Sequence, residues 1–260
     1  MVILPKPGGR PSRRHPLLHW PDLTFRSMEI LGRASVAPRL RLLVHKPTFA
    51  CNARCVGCDS RRRLHKASRR NELLSFEQSI DLYHQAARMG LSELHLSGGE
   101  PTLYGRLPEL VAEARRLDFF VSLNTNGSRL AEGDLAERLF EAGLDGVMLS
   151  LYSHREEVHD GLRQTPGLWR KAVAGLRRVA ALRRERKPDF LIITQSILSR
   201  ENLFDAPGLL DLVGQIGSDV HLFSYVEGDY EARLVPTVEM IQRFRRETLP
   251  ELRRAALSLP

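Results

Sequence analysis

Glu93-Leu94-His95-Leu96-Ser97-Gly98-Gly99-Glu100-Pro101 is a short apolar run closed by a glycine turn, and a helix signature follows it. Leu107, Leu110, Val111, Ala114 and Leu117 recur at the i, i+3, i+4, i+7 spacing of a core-facing stripe. Strand, turn and helix in this order make one βα unit. The same pattern extends in both directions. Upstream, Leu40-Arg41-Leu42-Leu43-Val44-His45 reads as a buried strand ending at Pro47. Ser75 with Gln78 forms a capping box that opens a helix through Ile80, Tyr83 and Ala86, stopping at Gly90.

Downstream, Phe119–Leu123 is a strand that ends in Asn124-Thr125-Asn126-Gly127, and a helix through Leu135, Leu139 and Phe140 stops at Gly143. Asp145–Leu151 is a fourth strand, followed by one long helix with Trp169, Val173, Leu176 and Ala180 in register. Asp189–Ile197 is a fifth, with a helix around Leu209, Leu210 and Val213 closing before Gly217; Asp219–Val226 is a sixth, with a last helix from Thr237 to Thr248. Strands alternating with helices predict a parallel sheet with right-handed crossovers. A closed barrel of eight such units takes about 250 residues, so six units predict an α/β fold: a partial (β/α)6 TIM-type barrel, open on one side. The expected organisation is a partly disordered leader over residues 1–39, a core over 40–248 and a short C-terminal tail over 249–260.

Barrels of this type carry their chemistry at the carboxyl ends of the strands. The unusual sequence falls there. After the first strand comes Cys51-Asn52-Ala53-Arg54-Cys55-Val56-Gly57-Cys58, which holds all three cysteines of the protein at C-x-x-x-C-x-x-C spacing. An odd count with nothing secretory upstream argues against disulfides. Clustered thiols point to a shared metal. Structural zinc wants four closed ligands, whereas an iron–sulfur cubane held by three thiolates leaves one corner for a small molecule. His45 or His65 could complete a zinc site, so spacing alone leaves both open.

Hydrophobic content of 42% and charged content of 27% are ordinary for a globular chain of 260 residues. No run of eighteen apolar residues predicts a membrane span. Arg13-Arg14 imitates a twin-arginine signal, but the stretch behind it is too short and polar for export, so the reducing cytoplasm is the expected compartment. The net charge is +8, and six of those charges sit in Arg61–Arg70, directly after the third cysteine. A run of this kind is either a solvated loop or an attractor of an anionic substrate or redox partner. No aromatic residues interleave with it, which counts against a single-stranded nucleic-acid groove.

Cys51-x-x-x-Cys55-x-x-Cys58 after a first strand, together with Gly98-Gly99-Glu100-Pro101 closing a second, resembles the radical S-adenosylmethionine (SAM) superfamily across residues 40 to 248. The resemblance implies that Cys51, Cys55 and Cys58 ligate three irons of a [4Fe–4S] cluster and that SAM chelates the fourth. It implies that Gly98, Gly99, Glu100 and Pro101 line the methionine amino group, that Asn126 and Ser150 touch the methionine and ribose, and that Arg163 sits near the cofactor carboxylate. The reduced cluster would then cleave SAM to a 5′-deoxyadenosyl radical that takes a hydrogen atom from substrate, with electrons from a donor such as flavodoxin or ferredoxin. One position departs from the pattern. Gly57 stands where the family usually carries an aromatic residue near adenine, so Val56 or Ile197 is expected to supply that contact.

With every cysteine assigned to one cluster, no thiol among these residues remains for an auxiliary cluster or for returning a hydrogen atom. Tyr152 and Tyr225 are the candidates for such a relay, and Gln195 and Glu227 for substrate contact, because all four stand near the ends of strands four to six. His45, His95 and His221 lie inside strands and read as satisfied core residues. The expected function is hydrogen-atom abstraction from a small polar metabolite such as a sugar, nucleoside or natural-product intermediate. The alternatives are a peptide- or RNA-modifying member of the same superfamily and, more distantly, a zinc-stabilised nucleic-acid-binding domain.

Overall fold

Why the alternation becomes a sheet is visible in the rows of side chains it aligns. In the computed structural model, which describes residues 40–58, 73–225 and 234–258, β1 (Leu42–Thr48), β2 (Glu93–Gly98), β3 (Phe120–Thr125), β4 (Gly146–Ser150), β5 (Leu191–Leu198) and β6 (Val220–Tyr225) lie side by side in chain order. Every pair is parallel. The intervening helices are α1 (Phe76–Arg88), α2 (Leu107–Arg116), α3 (Leu135–Glu141), α4 (Glu156–Arg163), α5 (Leu168–Arg186) and α6 (Ala206–Ile216), with α7 (Val238–Arg243) and α8 (Leu249–Ser258) after β6. This is the open parallel sheet of a partial barrel, with β1 and β6 as its edges among the described residues. No described helix is long and apolar enough to cross a membrane.

Alternate strand positions face the helices. Leu94 and Leu96 of β2, Val121 and Leu123 of β3, Val147 and Leu149 of β4 and Ile192 of β5 form one buried layer with Leu107, Leu110, Leu139 and Leu176. At about 25 cal/mol per Å² of apolar surface this layer is the main favourable term in the fold. The opposite face of the strands, including Ser97, Asn124, Ser150 and Gln195, looks into the barrel. The capping box at α1 is complete: Ser75 Oγ accepts from the Gln78 amide at 3.1 Å, and the Ser75 amide donates to Gln78 Oε1 at 2.8 Å.

Three elements differ from the sequence expectation. β1 does not stop before Pro47 but runs to Thr48 with a register break between His45 and Thr48. A proline can stand there because β1 is an edge strand with no ladder bond required on its outer side. The long helix after β4 is α5, which carries Trp169, Val173, Leu176 and Ala180 as expected, but the short α4 precedes it and is set apart because Gln164 is left-handed at φ 46° and Pro166 follows. The helical run beyond Thr237 does not end at Thr248: a π turn over Phe244–Thr248 leads into α8, whose Leu252 is buried in the core. The leader over 1–39 and the basic run 61–70 lie outside the described residues.

The three strand histidines are satisfied core residues. His45 Nδ1 pairs with Tyr83 Oη at 2.7 Å, His95 Nδ1 with Ser122 Oγ at 2.9 Å, and His221 Nδ1 with Thr194 Oγ1 at 2.8 Å. His45 is therefore engaged with α1, on the helix side of the sheet.

Candidate active site at the carboxyl ends of the strands

A cavity of about 390 Å³ opens at the carboxyl ends of β2 to β6 and is lined by all three cysteines. The cysteine loop reaches it by docking onto the end of a helix. The last carbonyls of α4 have no intrahelical partner, and two of them accept from the loop: Leu162 O from the Val56 amide at 2.9 Å and Arg163 O from the Arg54 amide at 3.1 Å. Asn52 ties the loop on its other side, its Oδ1 accepting from Asn126 Nδ2 at 2.8 Å and its Nδ2 donating to Ser128 Oγ at 2.9 Å. Gly57 has φ 75°. That left-handed turn favours glycine over any bulky side chain, which gives a backbone reason for the missing aromatic residue. Val56 and Ile197 both face the cavity.

The glycine pair is needed for close approach. A Cβ on Gly98, itself at φ 127°, would lie 2.4 Å from Thr48 O; one on Gly99 would lie 2.2 Å from Ala50 O. The Gly99 and Glu100 amides donate to Thr48 O at 3.0 Å and Ala50 O at 2.7 Å, sewing the turn to the chain that leads into the cysteines. Glu100 is 1% exposed, and its carboxylate accepts from the Thr102 amide and hydroxyl, from Thr125 Oγ1 at 2.6 Å and from the Asn126 amide at 2.7 Å. Both oxygens are engaged, so Glu100 braces the turn to β3. Pro101 starts the 3-10 turn Pro101–Leu103 and is buried behind the cavity wall.

Asn124, Asn126 and Ser150 line the floor. Gln195, on the barrel face of β5, donates through Nε2 to Asn124 Oδ1 at 3.1 Å and Ser150 Oγ at 3.2 Å, tying two floor residues together. Tyr152 and Arg163 share a wall, the guanidinium carbon 4.6 Å from the phenol ring centroid. Arg163 is 6% exposed and its Nε has no hydrogen-bond partner. His159, 0% exposed, accepts from the Tyr152 amide through Nδ1 at 3.1 Å. Burial pushes the Tyr152 phenol up, with the Arg163 charge pulling the other way. Burial likewise pushes the Cys51 thiol up, and the Ala53 amide opposes it. Across the cavity Ile197, Ser199, Ser224, Tyr225 and Leu234 form the β5–β6 wall, with Tyr225 well exposed. Glu227 lies outside the described residues.

The sequence reading missed Asn52, Asn124, Ser199 and Leu234. The first stands inside the cysteine motif, and the next two stand at strand ends, where the barrel rule could have found them. Leu234 carries no local signal; it arrives because its carbonyl accepts from the Arg200 amide at 2.9 Å.

A parallel partial barrel gathers three cysteine thiols, the buried Arg163 and the Gly98–Gly99 turn at one mouth, a donor set that suits a thiolate-bound cofactor. Zinc fits less well. His45 is engaged elsewhere, His65 lies outside the described residues, and among the described residues no three His, Cys, Asp or Glu side chains gather closely enough for a single metal ion. A model of the Radical SAM superfamily matches residues 46–201, and the chain belongs to that superfamily. Its members are enzymes that use a [4Fe–4S] cluster and SAM.

Among solved structures, Streptococcus suis SuiB bound to S-adenosylmethionine matches 96% of this chain and 53% of its own at 14% identity, with a TM-score of 0.63. Coproporphyrinogen III oxidase (HemN) from Escherichia coli matches 90% and 56% at 16% identity, TM-score 0.56. The anSMEcpe structure with bound AdoMet matches 76% and 56% at 19% identity, TM-score 0.58. At these identities the likeness is one of fold, and the chain spans about half the length of these proteins.

Proposed function

We propose that this chain reductively cleaves SAM and abstracts a hydrogen atom from a small polar metabolite, as an oxidoreductase, lyase or isomerase working in the cytoplasm with a flavodoxin- or ferredoxin-type electron donor. The observation that carries the reading is one cavity lined by the three cysteines, Arg163, Ser224 and Tyr225. In this reading Cys51, Cys55 and Cys58 hold the cluster. Gly98 and Gly99 let backbone approach the amino acid end of SAM, with Glu100 and Pro101 fixing that turn. Asn126 and Ser150 bind the methionine and ribose, and the unpartnered Nε of Arg163 faces the carboxylate. When bound, the cluster and SAM supply an electron and a carbon-centred radical; the protein supplies orientation and exclusion of water. Val56 and Ile197 cover adenine. Tyr152 or Tyr225 returns a hydrogen atom where the product needs one, and Glu227 contacts substrate.

The test is direct. The reconstituted, reduced protein should release 5′-deoxyadenosine from SAM, and replacing Cys51, Cys55 and Cys58 with alanine should abolish both iron content and release; a colourless wild-type protein without iron would overturn the assignment. A peptide substrate is the second reading. SuiB has been solved bound to precursor peptide SuiA, and TYW1 is a further neighbour in fold at 14% identity. Turnover of a peptide or RNA but of no small metabolite would favour that alternative, and loss of turnover on neutralising Arg61, Arg62 and Arg63 with the cluster intact would mark an anionic substrate.

A further inference from the structure

We infer that Asn202 is a positioning residue for SAM cleavage, holding the β4 and β5 ends of the cavity in register from outside it; this rests on the functional reading above. Asn202 is 1% exposed, and every hydrogen-bonding position of its side chain is used. Nδ2 donates to the Tyr152 carbonyl at 2.7 Å and to the Ile197 carbonyl at 3.0 Å, while Oδ1 accepts from the Ser199 amide at 2.7 Å and the Ser199 hydroxyl at 3.0 Å. Its three partners, Tyr152, Ile197 and Ser199, all line the cavity, whereas Asn202 does not. One amide thus joins the wall beside Arg163 to the wall opposite.

The joint is reinforced three residues on. Asp205, 6% exposed, accepts from Ser153 Oγ and from Arg155 Nη2 at 2.8 Å, and Ser153 Oγ accepts from the Arg155 amide at 2.9 Å. Asn202 and the turn Leu203–Asp205 that follows it therefore grip, respectively, the carbonyl of Tyr152 and the side chains of Ser153 and Arg155. From Tyr152 the connection continues to Arg163, whose ring contact and carbonyl meet the cavity and the cysteine loop respectively. Glu100 makes a similar joint between the ends of β2 and β3, and Asn202 makes the one between the β4 and β5 ends. An amide is the group the position demands, since two carbonyls need two donors and the Ser199 amide and hydroxyl need an acceptor.

Asn202→Asp keeps the shape and the acceptor but removes both donors, and Asn202→Ser shortens the arm. With the reconstituted full chain, either variant should cleave SAM at least about tenfold more slowly per EPR-active cluster, because displacement of a site wall by about 1 Å is enough for such losses. Iron and sulfide content should stay at the wild-type level, the turnover number should fall more than KM for SAM rises, and amide hydrogen exchange at residues 152–155 and 197–199 should accelerate. A rate per cluster within about twofold of wild type for Asn202→Asp would overturn the inference. So would activity that falls only in proportion to iron content, the mark of a merely structural role. Should the wild-type protein release no 5′-deoxyadenosine, the functional reading fails; hydrogen exchange, which needs no turnover, then decides whether Asn202 fixes these segments, and unchanged exchange in Asn202→Asp refutes it.

Discussion

Glu100 shows how far a single residue can be read in sequence and where the reading stops. Gly98-Gly99-Glu100-Pro101 marks the end of a strand and a family resemblance, and the pair of glycines is explained by backbone within 2.4 Å of where their Cβ atoms would be. The role of the carboxylate was not legible, because its partners Thr125 and Asn126 lie about 25 residues on and meet it only in the folded sheet. Glu100→Gln places an amide where an oxygen accepts from either the Asn126 N–H or the Thr102 and Thr125 donors, so two donors face each other in a buried site. The expected cost is about 1–3 kcal/mol, seen as a melting temperature lower by several degrees; an unchanged melting temperature would show that the brace is dispensable. The same limit applies to Gln195, whose place near a strand end was legible but whose hydrogen bonds to Asn124 and Ser150 were not.

At the scale of the element, β5 and β6 depart from the apolar layer of the other strands. Thr194 and Ser196 stand fully buried on the helix side, and His221 lies between them. The protons order themselves. Ser196 Oγ donates to the Leu151 carbonyl, so it accepts from His221 Nε2 at 3.1 Å, and Thr194 Oγ1 donates to Nδ1. The ring is neutral, and burial pushes its pKa down to about 3; burial does the same to His95, down to about 4. The unfolded chain takes up protons near pH 6.5 that these rings refuse, so folding stability is complete above about pH 6.5 and falls as the pH drops toward 4, by up to about 1.4 kcal/mol per unit for each ring. Urea unfolding at neutral pH and at about pH 5.5 measures the loss. His221→Phe, which binds no proton, should narrow it, and an equal loss in the variant would remove His221 from the account. That His221 is a core residue was legible from its place inside a strand. Its partners were not, since hydroxyls in a strand read equally well as surface.

Across the whole molecule, the number and order of units followed from periodicity, because a strand and an amphipathic helix each betray their period locally. What periodicity cannot supply is punctuation that depends on tertiary support: Pro47 tolerated in an edge strand, the break at Gln164, the π turn before α8. Nor could it place Leu234 against the cavity. The layered core predicts a gradient of local stability. Leu94, Leu96, Val121, Leu123 and Leu149, each 0% exposed, lie on β2, β3 and β4, whereas the β1 and β6 edges expose Val44 and Tyr225. Native-state hydrogen exchange should be slowest on the four interior strands, β5 with its fully buried Ile192 and Thr194 included, and faster on both edges, by an order of magnitude or more; uniform protection across the sheet would contradict it.

The irregular end of β1 has one more consequence. Among the described residues β1 leaves one flank unpaired, and at Pro47 the chain offers no amide hydrogen, the register slips, and Lys46 adds an exposed charge. The residue that reads as a strand terminator thus makes the end of this strand a poor template for further pairing, just before the chain turns toward the thiols.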